Sequence, residues 1–389
     1  MMKTSTLFRQ RHFLDIVRLF DLEKGPLDLF ISLYFRHNPQ LGSKDRLFIV
    51  EKIYAYFRWK GLIDVMLERM GVEGSARDAA LFDLLDRDLP ALSQQQEALP
   101  HERVSFPKEL YQALSQTFGD RVDEVCRACN ESAPLMLRAN ALKTTKHELV
   151  QLLAARGVEA VDDPSTPWAV RLRRRVNLFS LPEFRMGLFE VQDAGSQLVA
   201  SCVNAFPGQL VLDYCAGSGG KSLCFAPGMK NQGQIFLHDV RQAALVEAKK
   251  RLRRAGVQNA QVVSHTDARR LALLKGRMDW VLVDAPCSGT GTIRRNPDMK
   301  WKFSNDMVKR LANEQRQIIG EAVTYLKPKG VLVYATCSLL KEENEEQVAY
   351  MVNSFPLAVV GQPFRSCPAP GSMDGFFAVS LRLEAEQRS

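Results

Sequence analysis

Residues 209–222, QLVLDYCAGSGGKS, decide the fold: a short apolar run, Leu210 to Leu212, ends on Asp213 and gives way to a glycine-rich turn. An apolar strand that runs into such a turn and then a helix is the first unit of an alternating sheet. The chain repeats it. "GQIFLHDV", "AQVVSHTDA", "MDWVLVDAP" and "KGVLVYATC" read as further strands, with "QAALVEAKKRLRRAG" and "SNDMVKRLANEQRQIIGEAVTYL" as helices between them. Residues 191–389 are therefore predicted to form an α/β domain, a mostly parallel sheet with helices on both faces. "GFFAVSLRLEA" is expected to add an edge strand.

Upstream the pattern differs. Residues 7 to about 125 read helical. In "DRLFIVEKIYAYFRWKGLIDVMLERMG", Leu47, Ile49, Val50, Ile53, Tyr54, Phe57, Leu62, Val65, Met66 and Met70 lie near helical spacing, with Gly71 as the stop. "LFDLLDRDLPALSQQQEALPHERVSFP", broken by Pro90, Pro100 and Pro107, reads as a connector between helical parts. "LMLRANALKTTKHELVQLLAARGVEA" reads as strand, turn and amphipathic helix, followed by strand-like runs in "WAVRLRRRVNLF" and "GLFEVQDAGSQLVASCV". The expected organisation is an all-helical part over 1–125, a small α+β part over 126–190, and the α/β domain beyond.

Composition sets the class. At 389 residues, 46% hydrophobic and 25% charged, the chain is an ordinary globular protein of two or three domains. Its 52 Lys+Arg against 44 Asp+Glu give a charge of +8, a modest hint of a polyanionic partner. The first twenty residues lack the apolar core of a secretory leader, and no membrane-length apolar run appears. Eight cysteines in so long a chain do not make a disulfide framework, so a cytoplasmic protein with reduced thiols is expected. A monomer is expected too.

Ligands of such sheets sit beyond the carboxyl ends of the strands. Here polar residues fall at those ends in turn: Asp213 and the turn Cys215-Ala216-Gly217-Ser218-Gly219-Gly220-Lys221, then Asp239, Asp267, Asp284 and Cys337. Asp239 lies 22 residues beyond Gly217, near the offset of a carboxylate that accepts from ribose hydroxyls. That offset suits a dinucleotide or S-adenosyl-L-methionine. The turn is not GxGxxG, because position 222 is serine, and not a P-loop, because position 215 is cysteine. Its glycines let backbone approach a ligand closely and leave amides free for a carboxylate.

Cys287, in "DAPCSGTG", and Cys337 belong to neighbouring strand ends. A metal site is not expected, since no histidine or further cysteine stands nearby at ligand spacing. A methyl donor beside a thiol pair points to one chemistry. C5 of a pyrimidine is a poor nucleophile until a thiolate adds at C6, and a carboxyl group such as Asp284 at N3 assists. The residues leave open which thiol attacks.

"LDYCAGSGGKS", "HDV", "TDAR", "DAPCSGTGTIRRNPD" and "YATCSLLKEENEEQV" resemble the successive motifs of the RsmB/Sun family of RNA cytosine-5 methyltransferases. "LRANALK" with "FEVQDAGSQLVA" resembles that family's small RNA-contacting subdomain, and "DGFFAVSLR" its closing strand. The resemblance spans about residues 130–385. It implies a Rossmann-like class I methyltransferase domain, S-adenosyl-L-methionine as cofactor, Cys337 as nucleophile and Cys287 as the group that aids product release. Cofactor contacts carry over to Cys215 through Lys221, Asp239, Asp267 and Asp284. One departure stands out. The family often has "CAAPGGK" where this chain has "CAGSGGK", which puts the stiffness of the turn in doubt.

On the RNA side, "VRLRRRVNLF" carries Arg171 and Arg173 to Arg175, and "TIRRNPDMKWKF" carries Arg294, Arg295, Lys300 and Lys302 interleaved with Trp301 and Phe303. Phosphate contact plus stacking suits single-stranded RNA, so the second stretch is expected to rim the target pocket. Arg138, Asn140, Arg173, Arg174, Arg294, Arg295 and Lys302 are the candidate RNA contacts. "RLRRAG" at 251–256 reads as a helix end, and "CRAC" at 126–129 as core cysteines on a helix. "LGSKDRLFIVEKIYAYFRWKGLIDVML" resembles, less specifically, the NusB-like domain of rRNA-modifying members, which favours 16S ribosomal RNA over tRNA. The expected function is an RNA cytosine-5 methyltransferase. A nucleotide-dependent oxidoreductase lacks its fingerprint here, and a non-catalytic RNA-binding assembly factor would not need Asp284, Cys287 and Cys337.

Overall fold

A computed structural model of the chain describes residues 4–22, 25–95 and 98–384. The first three residues of the leader reading, two residues of the proline-containing connector and Ala385 of the last strand reading lie outside these. Two compact units emerge. One is the chain up to Ser132 together with Thr292–Met307; the other is Ala133–Gly291 together with the chain from Val308.

The first unit is helical, as the upstream periodicity predicts. Its longest helix, Ser43–Met70, buries Ile49, Ile53, Tyr56, Phe57, Trp59, Leu62, Ile63 and Leu67. Leu47 and Met70 are about half exposed. Gly71 ends the helix in the left-handed region at φ +60°, its amide donating to the Glu68 carbonyl. The three connector prolines start helices rather than break the chain into loop. Pro90 and Pro100 stand in the first turns of Leu89–Gln95 and Pro100–Arg103, and Pro107 immediately precedes Lys108–Phe118. A first-turn proline lacks only an N–H that has no helical partner anyway. Cys126 and Cys129 are buried on the helix Val122–Cys129.

Thr292–Met307, the stretch expected to rim a target pocket, packs into this helical unit. The Trp301 indole donates to the Phe57 carbonyl at 2.7 Å. A Cβ on Gly61 would lie 2.9 Å from the same ring, so only glycine fits there. Lys300 is fully buried; its ammonium donates to the Arg58 carbonyl at 2.5 Å and to Asn130 at 2.7 Å. Burial holds that ammonium well below the ordinary lysine range. Lys302 donates to the Gly25 carbonyl at 2.7 Å and to Asp298 at 2.6 Å.

The second unit holds two sheets. β1 (Leu135–Ala139), β2 (Ala160–Asp162), β3 (Ala169–Leu172) and β4 (Phe189–Val191) form an antiparallel sheet in the order β2-β3-β1-β4. After β4, Asp193 caps the helix Ala194–Ser201 by accepting from the Gly195 amide, so "DAGSQLVAS" is helix, not strand. β5 (Leu210–Asp213), β6 (Gln234–Asp239), β7 (Ala260–Ser264), β8 (Met278–Asp284), β9 (Leu326–Thr336), β10 (Leu357–Ser366) and β11 (Phe376–Leu383) form the large sheet. Its order is β10-β11-β9-β8-β5-β6-β7. The five strands from β5 to β9 pair in parallel, and β10 and β11 are antiparallel. "GFFAVSLRL" is thus an inner strand, and the edge is β10. The sheet closes over a core of Leu212, Val281, Val283, Leu332 and Tyr334. Chain order reverses between β5 and β8, which makes their carboxyl ends the switch point at which such sheets bind ligands.

Candidate active site

The glycine-rich turn leaves β5 and is pinned by neighbouring strands. The Tyr214 amide donates to the Leu282 carbonyl and the Ala216 amide to the His238 carbonyl, each at 2.8 Å. The Gly217 amide donates to Asp239 Oδ2 at 2.8 Å. Gly217 and Gly219 take positive φ, +53° and +78°, and a Cβ on Gly219 would crowd Leu237 and Ala248. Gly220 faces open space. Ser222 at the start of the next helix donates to Asp213 Oδ2 at 2.6 Å. Asp213 Oδ1 is buried with no hydrogen-bond partner among the described residues. Burial raises this carboxyl to about 7. Burial also opposes ionisation of Asp239, but hydrogen bonds from Arg241 and from the Gly217 amide hold it below the usual carboxylate range. Asp267 is exposed and caps the helix Ala268–Leu274, accepting from the Arg270 amide. Cys215 is half-buried, and desolvation pushes its thiol up.

The two cysteines end adjacent parallel strands, β8 and β9, and their sulfurs lie 3.4 Å apart. Their loops are fastened by one buried carboxylate. Glu343 accepts from the Ser288 amide at 2.8 Å, from the Ser288 and Ser338 hydroxyls at 2.5 Å each, and from Gln315 at 3.1 Å. Gln315 also donates to the Pro286 carbonyl at 2.9 Å. The residue after each cysteine is therefore held by the same side chain. Gly291 closes the loop, its amide 2.8 Å from the Cys337 carbonyl.

Lys221 forms an ion pair with Asp284. Burial disfavours its charge, yet Asp284, Cys337 and Asp213 raise the ammonium above its ordinary range. The thiols consequently differ. A hydrogen bond from Cys287 lowers Cys337 below the ordinary thiol, and Lys221 adds to this, whereas the same hydrogen bond and burial raise Cys287. The arrangement favours a thiolate at 337 and a thiol donor at 287.

Against proteins of known kind, a family model described as 16S rRNA methyltransferase RsmB/F matches residues 200–382. One for the ferredoxin-like domain of RsmF/B-like methyltransferases matches 106–178. Ribosomal RNA small subunit methyltransferase B of Klebsiella pneumoniae is 35% identical over 330 residues, covering 80% of this chain and 75% of that protein. This chain belongs to the RsmB/F methyltransferase family. Ribosomal RNA small subunit methyltransferase B of Salmonella heidelberg is 33% identical, covering 80% of this chain and 76% of that protein. The crystal structure of a methyltransferase homolog protein from Pyrococcus horikoshii superposes with a TM-score of 0.64 at 29% identity, covering 73% of this chain and 97% of that one.

This RsmB/F-family chain is an S-adenosyl-L-methionine-dependent methyltransferase with a Rossmann-like catalytic sheet. The residues at the switch point fit that cofactor: an orphaned carboxylate oxygen on Asp213, an open face at Gly220, and the strand-end carboxylate of Asp239. Val240, directly after Asp239, is 68% exposed, an apolar surface where an adenine ring could lie. Composition did not reveal it, nor the Glu343 clamp, which sits in the charged run Lys341–Glu346.

The candidate RNA contacts separate. Arg138 and Asn140 are buried and fastened to the protein: Arg138 donates to the Gly220 carbonyl at 2.9 Å, and Asn140 to the Gly187 and Ala255 carbonyls at 2.8 Å. Both are corrected to structural anchors, because buried donors already paired with carbonyls are not available to phosphate. Within the helical unit, Arg294 is likewise buried and Lys302 bonded, and Arg295 is half-buried. Arg173 and Arg174 are exposed, with Arg174 paired to Glu159 at 3.2 Å. The helix end at 251–256 matches its reading, with Arg251 and Arg254 both turned onto Glu190. Among the described residues no helix is long and apolar enough to cross a membrane.

Proposed function

We propose that this chain methylates C5 of a cytosine in 16S ribosomal RNA through a covalent bond between Cys337 and C6. The observation that carries the reading is the pair of sulfurs 3.4 Å apart at the ends of β8 and β9, with Lys221 and Asp284 beside them. The relatives' printed names supply the ribosomal substrate.

Cys337 is poised as thiolate by the Cys287 hydrogen bond and the Lys221 charge. Its electron pair forms the S–C6 bond, and the displaced ring electrons make C5 nucleophilic. Asp284, when it carries a proton, donates it in a hydrogen bond to N3, where negative charge would otherwise gather. S-adenosyl-L-methionine, when bound, supplies the methyl group that C5 takes. Loss of the C5 proton to water returns an electron pair to the C5–C6 bond, which expels the Cys337 sulfur as thiolate. Cys287, the neighbouring thiol, assists that departure by its hydrogen bond to the leaving sulfur. Asp239 would hold the cofactor's ribose hydroxyls, and the turn from Cys215 to Lys221 its amino-acid end, with Asp267 further along the crevice. The exposed Arg173 and Arg174 are the candidate phosphate contacts that remain on the surface. The target must be unstacked to reach the thiols, so a loop nucleotide is favoured over a duplex.

Replacing each cysteine by alanine tests the assignment. Incubated with cofactor and ribosomal RNA, Cys287→Ala accumulates a protein–RNA adduct on a denaturing gel and Cys337→Ala does not. The opposite pattern assigns the attack to Cys287. No adduct with either variant, together with unaltered 5-methylcytosine in bisulfite-sequenced 16S RNA from cells lacking the gene, removes the proposal.

A further inference from the structure

The cofactor turn is gripped from outside by two arginines. Arg138, on β1, holds the Gly220 carbonyl. Arg251, on the helix Gln242–Ala255, donates Nη1 to the Ser218 carbonyl at 3.0 Å and to the Ser218 hydroxyl at 2.6 Å. Its Nε and Nη2 reach Glu190 Oε2 at 3.2 and 3.0 Å. Glu190 stands on β4, is buried, and takes Arg254 on its other oxygen. One edge of the planar guanidinium is thus fixed on a carboxylate of the small sheet, and its remaining nitrogen is aimed at the turn. A lysine, with one point charge, could not do both.

Ser218 lies between Gly217 and Gly219, both at positive φ. Two such glycines leave the turn backbone with wide freedom, and ordering it costs free energy when a ligand binds. A side-chain hydroxyl held by a buried ion pair removes that freedom in advance. We infer that Arg251 is a positioning residue for the cofactor turn, acting through Ser218 and anchored by Glu190. It does not touch the cofactor. Its effect falls on cofactor affinity, because the turn it holds is where the cofactor's amino-acid end is placed, and the inference rests on that placement. It also answers the doubt raised by the turn's departure from the family pattern: Ser218 accepts a tether that proline could not.

Calorimetric titration with S-adenosylhomocysteine tests this without turnover. Ser218→Ala keeps the Arg251–Glu190 pair and loses only the hydroxyl contact; its dissociation constant rises about tenfold, as expected for a charge-assisted hydrogen bond. Arg251→Met weakens binding at least as much, and Ser218→Ala added to it changes little further, because both act through one link. In steady state Arg251→Met raises the KM for S-adenosyl-L-methionine while its kcat at saturating cofactor stays within about twofold. Asp239→Ala is the control for the site itself. If Asp239→Ala loses affinity while Ser218→Ala binds like the wild type, the inference falls and the cofactor site stands. If Asp239→Ala also binds like the wild type, the placement of the cofactor is wrong. Independent, multiplying effects of the two substitutions would likewise overturn a link through Ser218. Should Arg251→Met fail to fold, Ser218→Ala decides alone.

Discussion

Cys337 and Cys287 have the same chemistry and different company. Lys221 lies within electrostatic reach of Cys337, and the hydrogen bond between the sulfurs lets only one of them be the acceptor. A cation favours the deprotonated form, so removing it moves the thiol's midpoint upward. In the wild type, alkylation of Cys337 by iodoacetamide rises with pH through a midpoint below that of an ordinary thiol. In Lys221→Met that midpoint moves up, because Asp284 loses its partner and adds its own charge in the same direction. Peptide mass spectrometry across pH separates labelling at 337 from labelling at 287. An unmoved midpoint would mean that Lys221 serves Asp284 alone.

Strands and loops carry these residues, and Glu343 shows how. It ties Ser288, after β8, to Ser338, after β9, so the register of two strand ends becomes the spacing of two sulfurs. Glu343→Gln keeps the shape but presents only one accepting oxygen, leaving without an acceptor either the two serine hydroxyls that share Oε2 or the Ser288 and Gln315 N–H groups that share Oε1. A cost of about 1–3 kcal/mol is expected for leaving such groups unsatisfied. Activity should fall about tenfold or more, since small misplacements at reacting groups are costly. Circular dichroism melts and single-turnover methyl transfer check both parts. Here the limits of the sequence are also visible. The strands β5 to β9 were legible because each is an apolar run ending in Asp, Ser or Thr at a turn, and that rhythm survives in one dimension. β10 was not legible: Gly361 and Pro363 interrupt it, its register shifts between Val360 and Phe364, and most of its side chains are exposed. Such features mark an edge strand only after a partner is known. Glu343 was missed for a related reason, since its partners lie 55 and 5 residues away and its own neighbours are charged.

For the whole molecule, the segment Thr292–Met307 shows that residue type does not fix environment. Its lysines, arginines and aromatics have the composition of a nucleic-acid contact, yet Lys300, Trp301 and Lys302 bond to carbonyls of the helical unit. The segment follows the Cys287 loop in sequence and belongs to the other compact unit by its packing. Trp301 packs against the cluster of Phe13, Ile53, Phe57 and Leu62, while the catalytic sheet has its own core around Val281 and Leu332. Trp301→Ala removes the ring, its hydrogen bond to Phe57 and its contact with Gly61, at a cost of about 3 kcal/mol. That loss should be local, because hydrogen-exchange protection follows cooperative units rather than the chain as a whole. Exchange mass spectrometry should show amides between Ile49 and Leu67 losing protection while those of β8 and β9 keep theirs. Equal loss in both places would show a single cooperative core, and loss in neither would return the segment to the surface role its composition suggested.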